Sequence, residues 1–267
     1  MLVACNRCMA CRVMRTGEWT TRLMLESFEH KDNCFITITY DDSFIGDDNL
    51  YKPVLQKFIK RLRFELSPIK IKYYAVGEYG EKSGRAHYHA IIFNWYPDDI
   101  YVHHSDGNRP FFSSKTLDKV WPYGMNNVGT VTSTSIDYVV GYIRKKLFGR
   151  KADEVYGFRN PPFALSSRLL GMDWIYKNID RIKEEKCIKL NGRSHGIPRY
   201  FYKKIFDEWE RYYFEEKRSN ETDELIESYI SQNGLSMEQM LDRVLGDRLQ
   251  RERNLEGRQK LFIRRTL

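Results

Sequence analysis

The stretch KIKYYAVGEYGEKSGRAHYHAIIFNW, residues 70–95, decides the fold. KIKYYAVGEY (70–79) reads as a strand, rich in β-branched and aromatic residues. GEKSGR (80–85) reads as a turn, and HYHAIIFNW (87–95) as a second strand. Two such runs around a short turn predict an antiparallel hairpin. Side chains alternate along a strand, so His87 and His89 point to one face. The following Ala90-Ile91-Ile92-Phe93 carries that strand into a core. Glu78 lies near the end of the preceding strand, so the hairpin sets its carboxylate beside the two imidazoles. Two His and one carboxylate, with positions left for a phosphate oxygen and water, suit Mg²⁺ or Mn²⁺ as a Lewis acid. The blander readings are a core-packed His pair and a strand-end Glu78 paired with Lys82 or Arg85.

Outward from the hairpin, CFITITY (34–40) is β-branched and alternating, and predicts another strand ended by Asp41-Asp42. Residues 12–30 predict a helix with a stripe of Trp19, Leu23, Met24 and Phe28. Residues 52–66 predict an amphipathic helix with Pro53 in its first turn. The segment 98–135, with its Asp, Gly, Pro and Ser/Thr clusters, reads as mostly loop, with a strand near 127–133. SIDYVVGYIRKKLFG (135–149) reads as a helix with Ser135 as N-cap and Gly149 as its stop. Residues 150–200 read as irregular with short helices. From Tyr202 onward the pattern is charged and helical.

In the helix after Ser135, Tyr138 and Tyr142 are four residues apart, so both hydroxyls share a face, with Lys145 and Lys146 one turn further on. A free tyrosine, with a pKa of about 10, is a poor nucleophile. Nearby ammonium groups and a polarised phosphate would make it attack and form a phosphotyrosine ester. Such an ester conserves the energy of the broken phosphodiester, and two tyrosines permit two successive transfers. The plain alternative is a core stripe of Tyr, Ile and Val.

Together, CFITITYDD, GRAHYHAIIF and YVVGYIRKK, in that order, resemble the three motifs of the HUH endonuclease superfamily. CNRCMACR near the N-terminus and GEYG before the His motif are most similar to the rolling-circle replication initiators of gokushovirus-type microviruses. The resemblance covers residues 5–150 well and the remainder poorly. It implies an α+β fold, an RRM-like antiparallel sheet with helices packed on one face and the active site on the other. It also implies an HUH domain over 1–200 with an N-terminal Cys-rich segment, and a charged helical extension over 201–267. Glu78, His87 and His89 would hold the Mg²⁺ or Mn²⁺. Tyr138 and Tyr142 would be alternating nucleophiles assisted by Lys145, while Arg85 and Lys146 would bind DNA. Lys145 stands three residues after Tyr142, whereas Gly141 fills the matching place after Tyr138, which favours Tyr142 for the first cleavage. The implied activity is nicking of an origin, a 5′-phosphotyrosine intermediate and religation of the displaced strand. The partners would be single-stranded and origin DNA, with a host helicase and polymerase in the bacterial cytoplasm. No GxxxxGK[ST] motif is present, so unwinding is assigned to the host.

Composition agrees with a polyanionic partner. Lys and Arg number 44 against 36 acidic residues, a net charge of +8, and aromatics reach 14%. Rings stack on bases while cations neutralise phosphates. No apolar run approaches the roughly 20 residues that span a bilayer, and no signal-peptide pattern opens the chain. Cys5, Cys8 and Cys11 are a candidate structural Zn²⁺ site that Cys34 or His30 could complete, or simply three reduced thiols. His103 and His104 read as exposed in a polar loop. Three other readings stand beside the initiator. A transposase or relaxase would use the same chemistry. A non-catalytic single-stranded nucleic-acid module would lack cleavage that vanishes with His87. A small-substrate metallohydrolase would need an α/β barrel, which this pattern does not supply.

Overall fold

The computed structural model describes residues 5–80, 83–106, 109–145, 147 and 149–266. In chain order its elements begin with α1 (Met9–Phe28), β1 (Asn33–Thr39), α2 (Lys52–Glu65), β2 (Lys72–Tyr79) and β3 (Ala86–Phe93). Then come β4 (Ile100–Asp106), β5 (Arg109–Ser114), α3 (Lys115–Val120), β6 (Asn126–Thr130), α4 (Ser133–Val140) and α5 (Tyr142–Lys145). The chain continues through α6 (Arg150–Tyr156), β7 (Phe163–Ser166), α7 (Met172–Lys177), α8 (Ile179–Glu185), β8 (Ile188–Leu190) and β9 (Arg193–His195). It ends with α9 (Arg199–Ile205), α10 (Glu208–Asn233) and α11 (Met237–Thr266).

Seven strands form one antiparallel sheet in the order β4-β5-β6-β1-β3-β2-β7. Its centre, β6-β1-β3-β2, has α2 between β1 and β2 and α3 between β3 and β6. That is the βαββαβ arrangement of an RRM-like sheet, and the fold is α+β as the sequence predicts. The register puts Glu78 opposite His87 on β2–β3, and Thr37 opposite His89 on β1–β3.

Alternation assigns the two faces. Ile36 and Ile38 of β1 and Tyr88, Ala90 and Ile92 of β3 turn to one side, where they pack with Leu55, Phe58 and Leu62 of α2 and with Leu117 and Trp121. The Trp121 indole N–H donates to the Thr39 carbonyl at 2.8 Å, which satisfies the polar atom of a fully buried ring. Gly77 is small for a reason: a Cβ there would lie 3.1 Å from Tyr88 ring atoms. The opposite face is not bare. Leu23 of α1, Ile136, Val139 and Val140 of α4 and Ile143 of α5 pack on Tyr74, Val76, Ile91 and Phe93. These helices cover part of that face and frame the polar cluster beside it.

Several local expectations change. Segment 98–135 is not mostly loop. It carries the β4–β5 hairpin, α3 and β6, so His103 and His104 sit on a strand. Alternation in IYVHHSD is masked by polar residues on an edge hairpin, where a hydroxyl or imidazole costs nothing facing water. Region 150–200 adds the edge strand β7 and a small β8–β9 hairpin. The stripe on α1 also shifts: Leu23 and Leu25 are fully buried, whereas Phe28 is 50% exposed. Thr132, not Ser135, is the N-cap of α4. Ser135 is the N3 partner in a reciprocal capping box.

The chain divides into two compact units, residues 15–198 and, in the other, residues through Met14 together with those from Arg199 on. In the second unit, α9 buries Phe201 and Ile205. Helix α10 starts at an Asp207–Glu210 capping box and stops at Gly234, whose φ of 61° suits glycine. Leu241, Leu245 and Leu249 of α11 are exposed. Among the described residues, no helix is long and apolar enough to cross a membrane.

Candidate active site

The polar cluster follows directly from the register. Glu78 on β2 and His87 and His89 on β3 leave the sheet on one face, and their ligating atoms all lie within 4.8 Å of one another. Glu78 Oε1 is 3.6 Å from His87 Nε2 and 3.3 Å from His89 Nε2. The His rings meet edge to face, 4.8 Å between centroids.

The far side of each ring is fixed. His87 Nδ1 lies 3.0 Å from the Arg85 carbonyl. A carbonyl only accepts, so Nδ1 carries the proton and the neutral ring turns its Nε2 lone pair towards Glu78. His89 Nδ1 lies 2.8 Å from Thr37 Oγ1, and Phe35 stacks on the His89 ring at 5.6 Å. This is how a metal-binding histidine is oriented from behind. Two inward Nε2 atoms and a carboxylate therefore fit a divalent cation.

Electrostatics matches that reading. Burial pushes the Glu78 carboxyl up, but hydrogen bonds from His87 and His89 reverse this and hold it well below the usual carboxylate range. Burial lowers His87, and the Glu78 carboxylate with the Arg85 carbonyl outweigh it, so His87 ends above its ordinary value. For His89 burial wins over Glu78, and its pKa falls. One histidine is thus biased to stay neutral and ready to donate a lone pair, a division of roles that needs closely paired groups.

Tyr138 comes to this cluster from α4. Its hydroxyl is 3.4 Å from His89 Nε2, and its ring stands edge to face against His89 at 5.0 Å. The side chain is 48% exposed, which leaves its oxygen open to a substrate. The Lys145 ammonium lies 5.9 Å from the Tyr138 ring centroid and acts electrostatically on all three members of the triad. Tyr142 does not join them. α4 ends at Gly141 and α5 begins at Tyr142. Tyr142 packs into the second apolar cluster, beside fully buried Tyr74. Burial raises its pKa, with the Tyr74 hydroxyl and Arg15 only partly opposing this. The preference for Tyr142 as first nucleophile therefore does not follow from this geometry, and Gly141 marks a break rather than a weak helical position. The helix also stops well before Gly149.

Arg85 donates to Asp42 Oδ1 at 2.5 Å and to the Tyr40 carbonyl at 2.9 Å, bracing the β1 end against the turn. Lys146 lies outside the described residues. Beside the triad, on the same side of β1, runs an open groove of ≈ 510 Å³ whose lining includes Thr37, Thr39, His103, Phe111, Met125 and Asn127. Sequence patterns do not single out Thr37, Phe35 or this groove. The register of β1 against β3 is the signal that finds Thr37.

Cys5, Cys8 and Cys11 form a second donor group, their sulfurs within 4.8 Å of one another. Backbone N–H groups of Cys8 and Arg7 draw the Cys5 thiol down to about 7. Neither expected fourth ligand is available to it. Cys34 is fully buried in the core beneath the sheet, and His30 Nε2 is held by Glu26 at 2.8 Å.

Residues 33–147 match the family described as replication-associated protein ORF2. Replication-associated protein VP4 of Bdellovibrio phage phiMH2K is 34% identical over 223 residues, covering 78% of this chain and 70% of that protein. Replication-associated protein ORF4 of Chlamydia phage 1 is 31% identical over 206 residues, 74% of this chain and 52% of its own. Replication-associated protein ORF2 of Spiroplasma virus 4 is 29% identical over 273 residues, 96% and 84% of the two chains. The chain thus spans about half the length of the Chlamydia phage relative. No solved structure matches. With its matched motif region and its coverage of the phiMH2K protein, the chain belongs to the family of microvirus replication-associated proteins.

Proposed function

We propose that this protein is a metal-dependent single-strand DNA endonuclease and strand transferase that starts rolling-circle replication. The observation that carries the reading is the meeting of Tyr138 with the Glu78–His87–His89 cluster, 3.4 Å from hydroxyl to His89 Nε2. A non-catalytic binding sheet has no need of a tyrosine beside a buried, tautomer-fixed donor triad.

When bound by Glu78, His87 and His89, Mg²⁺ or Mn²⁺ supplies positive charge at the scissile phosphate. Thr37 and the Arg85 carbonyl keep the imidazoles turned inward. The Tyr138 oxygen attacks phosphorus and bonds to it. The bond to the 3′ oxygen breaks, leaving a 3′-OH strand and a 5′-phosphotyrosine, with the phenolic proton passed to solvent. Lys145 stabilises the developing phenolate. In this scheme Tyr138 cuts first. Tyr142, half-buried beside Tyr74, acts later, after α5 rotates about Gly141, and the freed 3′-OH attacks the first phosphotyrosine to close the circle. The groove through Thr39, His103 and Phe111 takes the strand beside the cut, its rings offered for stacking. Duplex unwinding and synthesis fall to a host helicase and polymerase in the bacterial cytoplasm.

The test is cleavage of labelled single-stranded origin DNA with and without Mn²⁺, for wild type and His87→Ala. Nicking that needs metal and is lost in the variant, while DNA binding persists, supports the proposal. Binding with no cleavage in any metal refutes it and leaves a non-catalytic single-stranded DNA module.

A further inference from the structure

The Cys5–Cys8–Cys11 segment plays no part in the chemistry above, and it is the second place where metal donors converge. The Cys5 and Cys11 sulfurs are 3.8 Å apart, and all three sulfurs lie within 4.8 Å. Two thiolates on one Zn²⁺ with bonds of about 2.3 Å at tetrahedral angles stand about 3.8 Å apart. In a polynuclear iron–sulfur cluster each thiolate holds a different iron, so the sulfurs spread much further. The spacing here therefore suits one ion and is too tight for a cluster. The sulfur of Cys5 also receives two backbone N–H groups, from Cys8 at 3.2 Å and from Arg7 at 3.5 Å. Peptide N–H groups aimed at sulfur favour the thiolate, the form that ligates. Cys11 stands in the first turn of α1, and Cys5 and Cys8 lie just before and at its start. An ion held by all three would thus tie the approaching chain to the helix.

We infer that Cys5, Cys8 and Cys11 hold a single tetrahedral Zn²⁺, separate from the Glu78–His87–His89 site. Among the described residues no fourth His, Cys, Asp or Glu joins the group, so the fourth position goes to water or an exogenous ligand. Binding replaces thiol protons with the ion and releases them to solvent; no redox step is involved. The role is structural, fixing the start of α1.

The experiment uses the full chain carrying His87→Ala and His89→Ala, so that the other donor group cannot contribute. Elemental analysis of the purified, reduced protein is expected to give about one zinc per chain. Replacement by Co²⁺ is expected to give strong sulfur-to-cobalt charge-transfer absorption and the intense visible bands of a tetrahedral ion. Both signals are lost in Cys8→Ser or Cys11→Ser and kept in Cys187→Ser. Should the cysteine variants fail to fold, the cobalt spectrum of the parent protein decides alone. Octahedral or absent cobalt bands, iron with acid-labile sulfide in place of zinc, or zinc that survives Cys8→Ser overturns the inference.

Discussion

Glu26 is the least expected residue of the fold, and its removal gives a sharp prediction. It lies on α1 and is fully buried. One carboxylate oxygen takes Lys72 Nζ at 2.9 Å and His30 Nε2 at 2.8 Å. The other accepts the Gly171 backbone N–H at 2.7 Å, at the start of α7. One charge thus joins α1, β2 and α7 behind the face that carries the site. Glu26→Ala leaves the Gly171 N–H without its acceptor, a loss of about 1–3 kcal/mol for a buried donor. Lys72 keeps Asp173 at 2.7 Å and is 27% exposed, so its share is discounted towards a surface pair. Adding the space left by the side chain, the total comes to about 3–5 kcal/mol, the range for breaking a buried pair from one side. For a chain of this size that is a fall in melting temperature of roughly 6–15 °C. Glu26→Gln keeps the shape and one acceptor, and loses less than half as much. Urea unfolding followed by tryptophan fluorescence measures both. Losses below about 1 kcal/mol for Glu26→Ala, or equal losses for the two variants, would refute the reasoning.

Three further outcomes follow from the same geometry. Thr37→Val keeps the volume but removes the His89 Nδ1 partner, so divalent-metal affinity by calorimetry drops about 10–100-fold; an unchanged affinity denies Thr37 its positioning role. Gly124→Ala places a Cβ 2.3 Å from the Thr39 carbonyl oxygen and 2.6 Å from the Asp41 nitrogen, so the variant loses at least about 2 kcal/mol, and a neutral substitution contradicts the close approach of these two backbone segments. In metal-free protein His87 has a raised pKa, so its stabilising contribution is fully present below its ordinary value of 6.5 and is lost as pH rises through the folded value. The difference in melting temperature between wild type and His87→Asn is therefore larger at pH 6 than at pH 8; a difference that grows with pH has the wrong sign.

The hairpin, β1 and the helix after it are legible because alternation and helical period reflect which face is buried. The same alternation puts His87, His89 and Glu78 on one side from the residue order alone. What the sequence hides depends on longer range. Nothing local marks Glu26 as buried, because its three partners lie 4, 46 and 145 residues away. The β4–β5 hairpin escapes the pattern because an edge hairpin with one wet face tolerates His, Ser and Asp where a central strand would not. The two tyrosines look equivalent at four-residue spacing. They part only because α4 stops at Gly141 and Tyr142 is drawn into the apolar cluster around Tyr74. Thr37 looks like one β-branched strand residue among several until pairing sets it opposite His89.

The central claim is that Tyr138 is the residue that first takes the DNA phosphate at the Glu78–His87–His89 site. Protein incubated with labelled single-stranded origin DNA and Mn²⁺, then run on a denaturing gel, reports it directly. The account predicts an SDS-resistant, protease-sensitive protein–DNA band with wild type and with Tyr142→Phe, and none with Tyr138→Phe. Peptide mapping of the band should locate the nucleotide on Tyr138. An adduct that persists in Tyr138→Phe and disappears in Tyr142→Phe would contradict the account.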